Sequence, residues 1–389
     1  MRGIGKLLFI LSIILVLTSC WNNRDLTDLA IMTGIAFDKG EDGKFEITFQ
    51  IVKPEAMKTS GEGGGNEKKA FNNVSSTGET VFECARNLIA KINKKVYFGQ
   101  VQLMVISEEF ARDGISKIFD LFERDTETRR RADLIIAKGM EAKTVLESES
   151  RMSKLPATHE TEALEASRHF GKTLKVTFID ALKFLNKEEY SFVLPTINKS
   201  NNTGKVFQED LLTEGSAVIK KDKLVGFLGP LETRGYLLAD DKIKNTIINI
   251  PSPLHSKKII SIEVVRNKGK TISKIVDGKP VLSIEVTAEG NIGEQQEKAD
   301  LTKPDMVKAL EDTVEKEMKD KIEAAVKITQ KEFKSDVFGF IDEIYRNYYS
   351  DWTKTFRNWS KIYSQTPVNI EVKFKIRRSG LIREPAEPK

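Results

Sequence analysis

The sequence contains few of the residues on which most enzyme active sites depend. Among its 389 residues there are three histidines and two cysteines, Cys20 and Cys84. Since Cys20 ends the apolar opening segment, Cys84 has no second cysteine with which to form an internal disulfide framework. So little histidine leaves hydrolytic and redox chemistry with few candidate residues. We therefore expect no catalytic residue and no cofactor.

The apolar run at the start of the chain is too short to be a comfortable membrane span. Arg2 and Lys6 precede residues 7–17, in which Ser12 is the only polar residue. A spanning helix needs roughly 20 apolar residues, whereas this run has the charge and length of a secretory signal. The pattern predicts a signal peptide over residues 1–19 that is removed from the mature protein.

The four residues Leu17-Thr18-Ser19-Cys20 close this segment. They resemble the lipobox of bacterial lipoproteins, in which the cysteine thiol receives a diacylglyceryl group, the chain is cut before it and the freed amine can be acylated. Two or three acyl chains hold a protein on a bilayer durably, where one chain does not. We expect Cys20 to carry this lipid on the outer face of the cytoplasmic membrane. The alternatives are an ordinary secretory signal and an uncut signal anchor.

The balance of charge gives no reason to expect a nucleic-acid partner. Of the 62 basic residues, Arg2 and Lys6 lie in the predicted signal peptide, so 60 remain beside 57 acidic residues in the mature chain. Binding to nucleic acid would need basic residues clustered on one face, and nothing in this near balance argues for it. The composition instead indicates a globular, well-solvated protein.

The first part of the mature chain alternates predicted strands and helices. Residues 30–38 and 44–52 fit a hairpin, because apolar residues alternate in the second run. Val81 opens a helical pattern that Ser76 or Thr77 could cap. Further strands and helices are predicted at 96–106, 132–137, 141–149, 158–170 and 177–186. This alternation indicates a mixed α/β N-terminal domain over residues 20–197.

The second part has a different pattern. A polar stretch marks a linker over residues 198–212, and a C-terminal domain follows over 213–380 with a tail at 381–389. Its predicted strands form hairpins, and 258–267 and 270–276 are predicted as separate strands. An amphipathic helix is predicted over residues 303–333, with its apolar seam at Met306, Leu310, Val314, Met318, Ile322 and Val326. The fold class is therefore α+β and multi-domain.

One helix carries the best candidate for a metal site. Glu162, Glu165 and His169 could share a helical face, with His159 one turn earlier, and could in principle supply zinc ligands. The spacing does not match the His-Glu-x-x-His pattern of zinc proteases. A solvated acidic helix face is the favoured interpretation, and we expect no metal site.

Other conspicuous residues are interpreted as structural. Cys84 falls inside an apolar helical pattern and is expected to be a small buried hydrophobe. The mixed charges of residues 124–131 indicate a salt-bridged surface more than an anion site. An aromatic stripe at helical spacing is expected to belong to the core; it consists of Trp352, Phe356, Trp359 and Tyr363.

Several blocks along the chain together resemble the Ger(x)C family of spore germination lipoproteins, the C subunits of nutrient germinant receptors. No single block would be enough to establish the resemblance, but together the blocks span essentially the whole length of the chain. The blocks are the lipobox cysteine with residues 21–35 (WNNRDLTDLAIMTGI), 76–83 (STGETVFE), 95–100 (KVYFGQ), 124–129 (RDTETR), 223–228 (KLVGFL), 352–359 (WTKTFRNW) and 377–381 (RRSGL).

This resemblance implies a non-enzymatic, lipid-anchored subunit on the outer surface of the spore inner membrane, with a multi-domain α+β fold. It would act with a multi-spanning A subunit and a transporter-like B subunit in nutrient-triggered germination. Cys20 is the one site residue it carries over. Since no apolar pocket signature is visible, we expect no direct small-molecule binding. The alternatives are a lipid-anchored solute-binding receptor of a transporter and, more weakly, a surface hydrolase.

Overall fold

The structure is a computed structural model, and it describes most of the chain between Asp28 and Arg378. The described residues are 28–58, 69–124, 130–148, 153–167, 169–187, 189–200, 211–243, 245–296, 300–349 and 357–378. The predictions for the signal peptide, for Cys20, for residues 125–129, for Trp352 and Phe356, and for the tail at 381–389 lie outside the described residues.

A nine-stranded mixed sheet, called here the large sheet, forms the first part of the molecule. Its order is β3-β2-β1-β5-β6-β7-β8-β9, with β4 beside the first part of β1. The strands are β1 (Leu29–Lys39), β2 (Phe45–Val52), β3 (Phe71–Gly78), β4 (Lys95–Tyr97), β5 (Leu103–Ser107), β6 (Asp133–Ala137), β7 (Ser191–Lys199), β8 (Leu211–Lys220) and β9 (Lys223–Leu228).

Helices cover both faces of the large sheet. Strands β5 and β6 are buried at every position, as expected for strands between two helical layers. One face carries α5 and α6, and the other carries α2, α3, α4 and α7. The helices along this part are α1 (Pro54–Lys58), α2 (Val81–Ile92), α3 (Glu108–Asp113), α4 (Ser116–Arg124), α5 (Ala142–Glu147), α6 (Pro156–Ser167) and α7 (Phe178–Leu185).

Local details of this part differ from the sequence prediction. Residues 71–78 form a strand that was not predicted, since their polar side chains hide it. Helix α2 is capped by Thr80, whose Oγ1 accepts a hydrogen bond from the Glu83 N–H at 3.0 Å. The prediction of Ser76 or Thr77 as the cap is therefore wrong, because both lie in β3. The predicted strand at 96–106 is two strands, β4 and β5.

The large sheet continues across the predicted linker. Strand β7 runs to Lys199 and pairs antiparallel with β8, which begins at Leu211. Strand β9 then pairs with β8 around a turn at Lys221 and Asp222. Both ends of the segment 198–212 are therefore strand residues, and the predicted domain boundary falls inside one sheet.

A second sheet of four strands, β10-β11-β12-β13, completes the fold. Strand β11 is continuous, so the predicted break between 267 and 270 is wrong; a bulge between Val264 and Arg266 is the irregularity there. The elements of this part are α8 (Pro230–Ala239), β10 (Thr246–Pro251), β11 (Ile259–Val276), β12 (Lys279–Gln295), α9 (Pro304–Ile328), α10 (Phe340–Asn347), α11 (Trp359–Gln365) and β13 (Val368–Arg378).

Helix α9 packs along one face of the second sheet. Five of its six predicted seam residues are buried, and Met306 at the start of the helix is half-buried. The helix ends at Ile328 and continues as one π-helical turn to Phe333. Helix α8 crosses it so closely that a Cβ at Gly235 would lie 2.0 Å from the carbonyl oxygen of Lys321. One continuous hydrophobic core links this layer with the large sheet.

Helix side chains bind backbone groups of one outer strand in each sheet, β3 and β13. Two side chains of α2 donate to carbonyl oxygens of β3, at 2.7 and 3.0 Å. On β13, the N–H of Phe374 donates to Glu315 at 2.9 Å and that of Ile376 donates to Glu311 at 3.0 Å. Unpaired strand edges invite pairing with another chain, so these contacts occupy groups that a foreign strand would use.

Candidate functional site

The predicted lipid site lies just upstream of the described chain. Seven residues separate Cys20 from Asp28, and β1 begins at Leu29. Fully extended, this connection reaches about 28 Å. A lipid on Cys20 would therefore keep the end of the large sheet where β1 begins close to the bilayer. Among the described residues, no helix has the length and apolar character that crossing a membrane requires.

The helix proposed as a possible metal face is α6. Its Glu162 and Glu165 are exposed, and His169 follows the helix end. The Glu165 carboxylate pairs with Lys175 at 3.3 Å. In the described part of the chain, no group of three or more histidine, cysteine, aspartate or glutamate side chains is arranged to hold a metal ion. The exposed face of α6 thus carries solvated and ion-paired charges.

A buried carboxyl on the same helix was missed by the sequence analysis. Glu160 is 4% exposed, and Thr213 Oγ1 donates to its Oε2 at 3.2 Å. Burial raises the pKa of Glu160 to about 7, although the hydrogen bond from Thr213 acts to lower it. The helical period could have found this position, since Ala157 and Leu164, three before and four after, are core residues.

The interpretation of Cys84 as a buried small hydrophobe is confirmed. Its side chain is fully buried against the large sheet, and its Sγ lies 3.7 Å from the carbonyl oxygen of Phe45. Burial raises the pKa of the thiol to about 11. A thiol with so high a pKa is a poor nucleophile near neutral pH.

The described half of the aromatic stripe belongs to the core, as predicted. Trp359 and Tyr363 stack on α11 and are buried. The indole N–H of Trp359 donates to Asp336 Oδ2 at 2.8 Å, and the same carboxylate accepts from the N–H groups of Gly339 and Ile341. Burial raises the pKa of Asp336, against the lowering effect of these hydrogen bonds. These hydrogen bonds to Asp336 hold α11 to the start of α10.

A cleft of about 600 Å³ lies where α7 and β7 meet α8 and the segment before α10. Its wall combines aromatic rings with charged groups, which no pattern in the sequence had brought together. Side chains lining it include Phe184, Tyr190, Tyr236, Phe338, Asp240 and Lys242.

The charged groups of the cleft bind one another. Lys242 Nζ donates to the hydroxyl of Tyr236 at 2.8 Å and pairs with Asp240, and the Tyr236 hydroxyl donates to Asp240 at 2.9 Å. Burial acts to lower the pKa of Lys242, but Tyr236 and Asp240 raise it above its usual value. Across the cleft, Lys187 pairs with Asp342 at 3.1 Å. The first three groups belong to α8 and the residues just after it, whereas the Lys187–Asp342 pair links the large sheet to the layer of the second one.

Comparison with known families identifies the class. Residues 22–199 match the model of the spore germination protein N-terminal domain, and residues 214–380 match that of the C-terminal domain of spore germination B3/GerAC-like proteins. Together the two models cover most of the chain, in the order in which the two parts of the fold occur. The chain therefore belongs to the GerAC-like family of spore germination proteins, as the resemblance predicted.

Full-length relatives and a solved structure agree with this. Spore germination protein KC of Bacillus subtilis is 29% identical, over 97% of this chain and 96% of its own. Spore germination protein B3 of the same organism is 24% identical, over 98% and 100%. The crystal structure of the GerBC protein is 21% identical, with a TM-score of 0.57 over 88% of this chain and 96% of that one. The multi-domain α+β fold is thereby confirmed.

Proposed function

We propose that this chain is the lipid-anchored, non-enzymatic C subunit of a nutrient germinant receptor. The observation that carries the proposal is the full-length match to spore germination protein KC, which covers 97% of this chain and 96% of the relative. Relatedness over both whole chains favours a shared role more than relatedness over one domain would.

Cys20 is the proposed site of lipidation, with the signal peptide at residues 1–19 removed. The proposed mature chain comprises the N-terminal domain at 20–197, the linker at 198–212, the C-terminal domain at 213–380 and the tail. Two or three acyl chains would supply durable membrane affinity. The protein would lie on the outer face of the spore inner membrane.

The proposed partners are the A and B membrane subunits of the receptor. A subunit tethered to the bilayer meets membrane partners at high effective concentration, so modest contacts suffice for assembly. The joined sheets and their common core support a rigid scaffold. Apart from the exposed Glu162, the carboxyl and thiol groups described above are buried in the core or paired, which supports a role without catalysis.

The alternative is a lipid-anchored solute-binding receptor of a transporter. Such receptors usually have two α/β lobes joined by hinge strands, whereas here one sheet spans the predicted boundary. Most of the charged groups that line the cleft are also ion-paired. Isothermal titration of the unlipidated chain should therefore show no saturable binding of a nutrient, and saturable binding would favour the alternative.

The direct test replaces the predicted lipid site. Cys20→Ala should release the protein from the membrane fraction and strongly weaken the response of spores to nutrients, while germination triggered by dipicolinate continues. Cys84→Ala is the matched control, because it removes the other cysteine and should leave the protein on the membrane. Normal anchoring and normal germination in the Cys20 variant would contradict the proposal.

A further inference from the structure

The hairpin of β11 and β12 extends past its neighbours in the second sheet. Its turn is formed by Asp277 and Gly278, both with positive φ. Strand β10 pairs with β11 only up to Val264, and β13 pairs with β12 only from Leu282 onward. One face of the hairpin end packs on α10, where Ser273 Oγ donates to a backbone carbonyl at 2.9 Å. The other face is open.

The open face combines exposed valines with basic side chains. Lys274 lies opposite Val281, and Val276 lies opposite Lys279, so all four share one face. Val276 is 51% exposed and Val281 is 47% exposed. Lys270, four positions before Lys274 on the same strand, lies on this face directly opposite the exposed Glu285. We call these five residues the hairpin face: Lys270, Lys274, Val276, Lys279 and Val281.

The lysines of the hairpin face differ from three basic residues of β13, the neighbouring strand. On β13, Lys373 pairs with Glu371, Lys375 with Glu311 and Arg377 with Glu289. Within the described ranges, by contrast, the three lysines of the hairpin face form no ion pair. Unpaired cations around exposed apolar side chains fit a surface that is anionic at its boundary and apolar beneath it, which is the chemistry of a bilayer with acidic headgroups.

The hairpin face lies at the end of the molecule that a lipid on Cys20 would hold down. Helix α10, which contacts the hairpin, also pairs through Asp342 with Lys187, four residues before β7. Because β1, β5, β6 and β7 run parallel, the start of β7 is at the same end of the large sheet as the start of β1. From there the chain leads back to Cys20 through a short connection.

We propose that the hairpin face rests on the surface of a phospholipid bilayer that contains acidic lipids. Val276 and Val281 enter the headgroup layer, and the three lysines bind lipid phosphates while their stems cover apolar surface. The placement of the hairpin relative to the bilayer rests on the proposed lipidation of Cys20. Two attachments fix the orientation of the subunit, which a single flexible tether would leave free.

The test measures binding of the unlipidated chain, residues 20–389 with Cys20→Ala, to vesicles. It should bind vesicles of equal parts phosphatidylglycerol and phosphatidylcholine, bind pure phosphatidylcholine much less, and release at high salt. Each basic residue near an anionic surface contributes about fivefold to affinity. The triple variant Lys270→Glu/Lys274→Glu/Lys279→Glu should therefore bind at least about tenfold more weakly.

A control variant with the same change in charge tests whether the effect is specific to the hairpin face. Lys44→Glu/Lys316→Glu/Lys327→Glu alters exposed lysines at the opposite end of β1 and on α9, which covers the other face of the second sheet; its binding should stay near that of the parent. Val276→Ser/Val281→Ser keeps the charge and should still weaken binding about fivefold or more.

Two results would overturn the proposal. If both lysine variants lose binding equally, the effect is one of general charge. If the parent does not bind the vesicles, the hairpin face does not bind a bilayer and would fit an acidic protein partner instead. Because the chain carries no lipid here, this experiment is independent of Cys20: vesicle binding can hold even if lipidation fails, and lipidation can hold if vesicle binding fails.

Discussion

The large sheet and the second sheet differ in how many faces of their strands are buried. Strand β6 is buried at all five positions because helices cover both of its faces. Strand β13 alternates between buried and exposed residues, since α9 covers one face. A continuous apolar run and an alternating run thus both form core strands. The number of covered faces determines which of the two patterns a strand carries.

The same difference separates residues that stabilise the fold from residues that are free to contact a partner. A sheet covered on both faces offers a partner only its surrounding helices and loops. The second sheet keeps a whole face in solvent, and the hairpin face is part of it. We therefore expect substitutions in the large sheet to act through folding and those on the open face to act through binding.

Adjacent residues on a strand provide the sharpest test of this comparison. Ile135→Ala and Ile136→Ala, on opposite faces of β6, should each lower the free energy of unfolding by about 2–5 kcal/mol, because both side chains are buried. On β13, Ile370→Ala should cost a similar amount, whereas Asn369→Ala should cost less than about 0.5 kcal/mol. Denaturant unfolding of the four variants measures this. Unequal costs within the β6 pair would break the comparison.

Helix α6, on the large sheet, offers a second test through the pH dependence of stability. The folded pKa of Glu160 is about 7, above the ordinary value of about 4.3. The unfolded chain therefore loses its proton at lower pH than the folded one, and stability falls as the pH rises from about 4.3 to 7 and then levels off. The loss should be about 4 kcal/mol, at about 1.4 kcal/mol for each pH unit between the two pKa values.

Glu160→Gln should remove this dependence and stabilise the protein at pH 8, because no charge is then buried. Unfolding measured across this range checks the prediction. Glu162→Gln, on the exposed face of the same helix, is the control and should leave the profile unchanged. A parent protein whose stability is flat between pH 5 and 7 would refute the assignment of a buried carboxyl.

The cap of α2 gives the smallest expected effect. Thr80→Ala should lower the free energy of unfolding by about 1 kcal/mol, since the N–H of Glu83 loses its partner. Thr77→Ala, in the neighbouring strand, should change it by less than about 0.5 kcal/mol. If Thr77→Ala lowered the free energy of unfolding more than Thr80→Ala, Thr77 would be the cap, as the sequence alone suggested.

Much of the fold could be predicted because its strands and helices have clear periods. The β1–β2 hairpin, the helix from Val81 and the seam of α9 all follow from apolar spacing. Strand β3 could not be predicted, since Asn72, Asn73 and Ser75 carry no strand pattern and the pairing with β2 alone defines it. The continuity of the large sheet past Lys199 depends on long-range pairing that local composition does not record.

The functional residues divide in the same way. Cys20 could be proposed because a lipobox is a local motif. The hairpin face could not, since its lysines and valines come from two strands and meet only through the register of β11 with β12. Glu160 stands in the sequence among the polar residues His159, Thr161 and Glu162, which made the whole helix look polar. The helical spacing from Ala157 and Leu164 could have indicated its burial, but its partner Thr213 is brought to it only by the pairing of β8 into the large sheet.

The closed strand edges have a consequence for how receptor subunits could be exchanged. Glu315 and Glu311 accept hydrogen bonds from the outer N–H groups of Phe374 and Ile376 in β13, and side chains of α2 donate to carbonyl oxygens of β3. A strand from a partner would find these backbone groups already occupied at both edges. Contacts there have to be made by side chains on preformed surfaces. Complexes of that kind separate without unfolding either member, so one copy of the subunit could leave and another take its place.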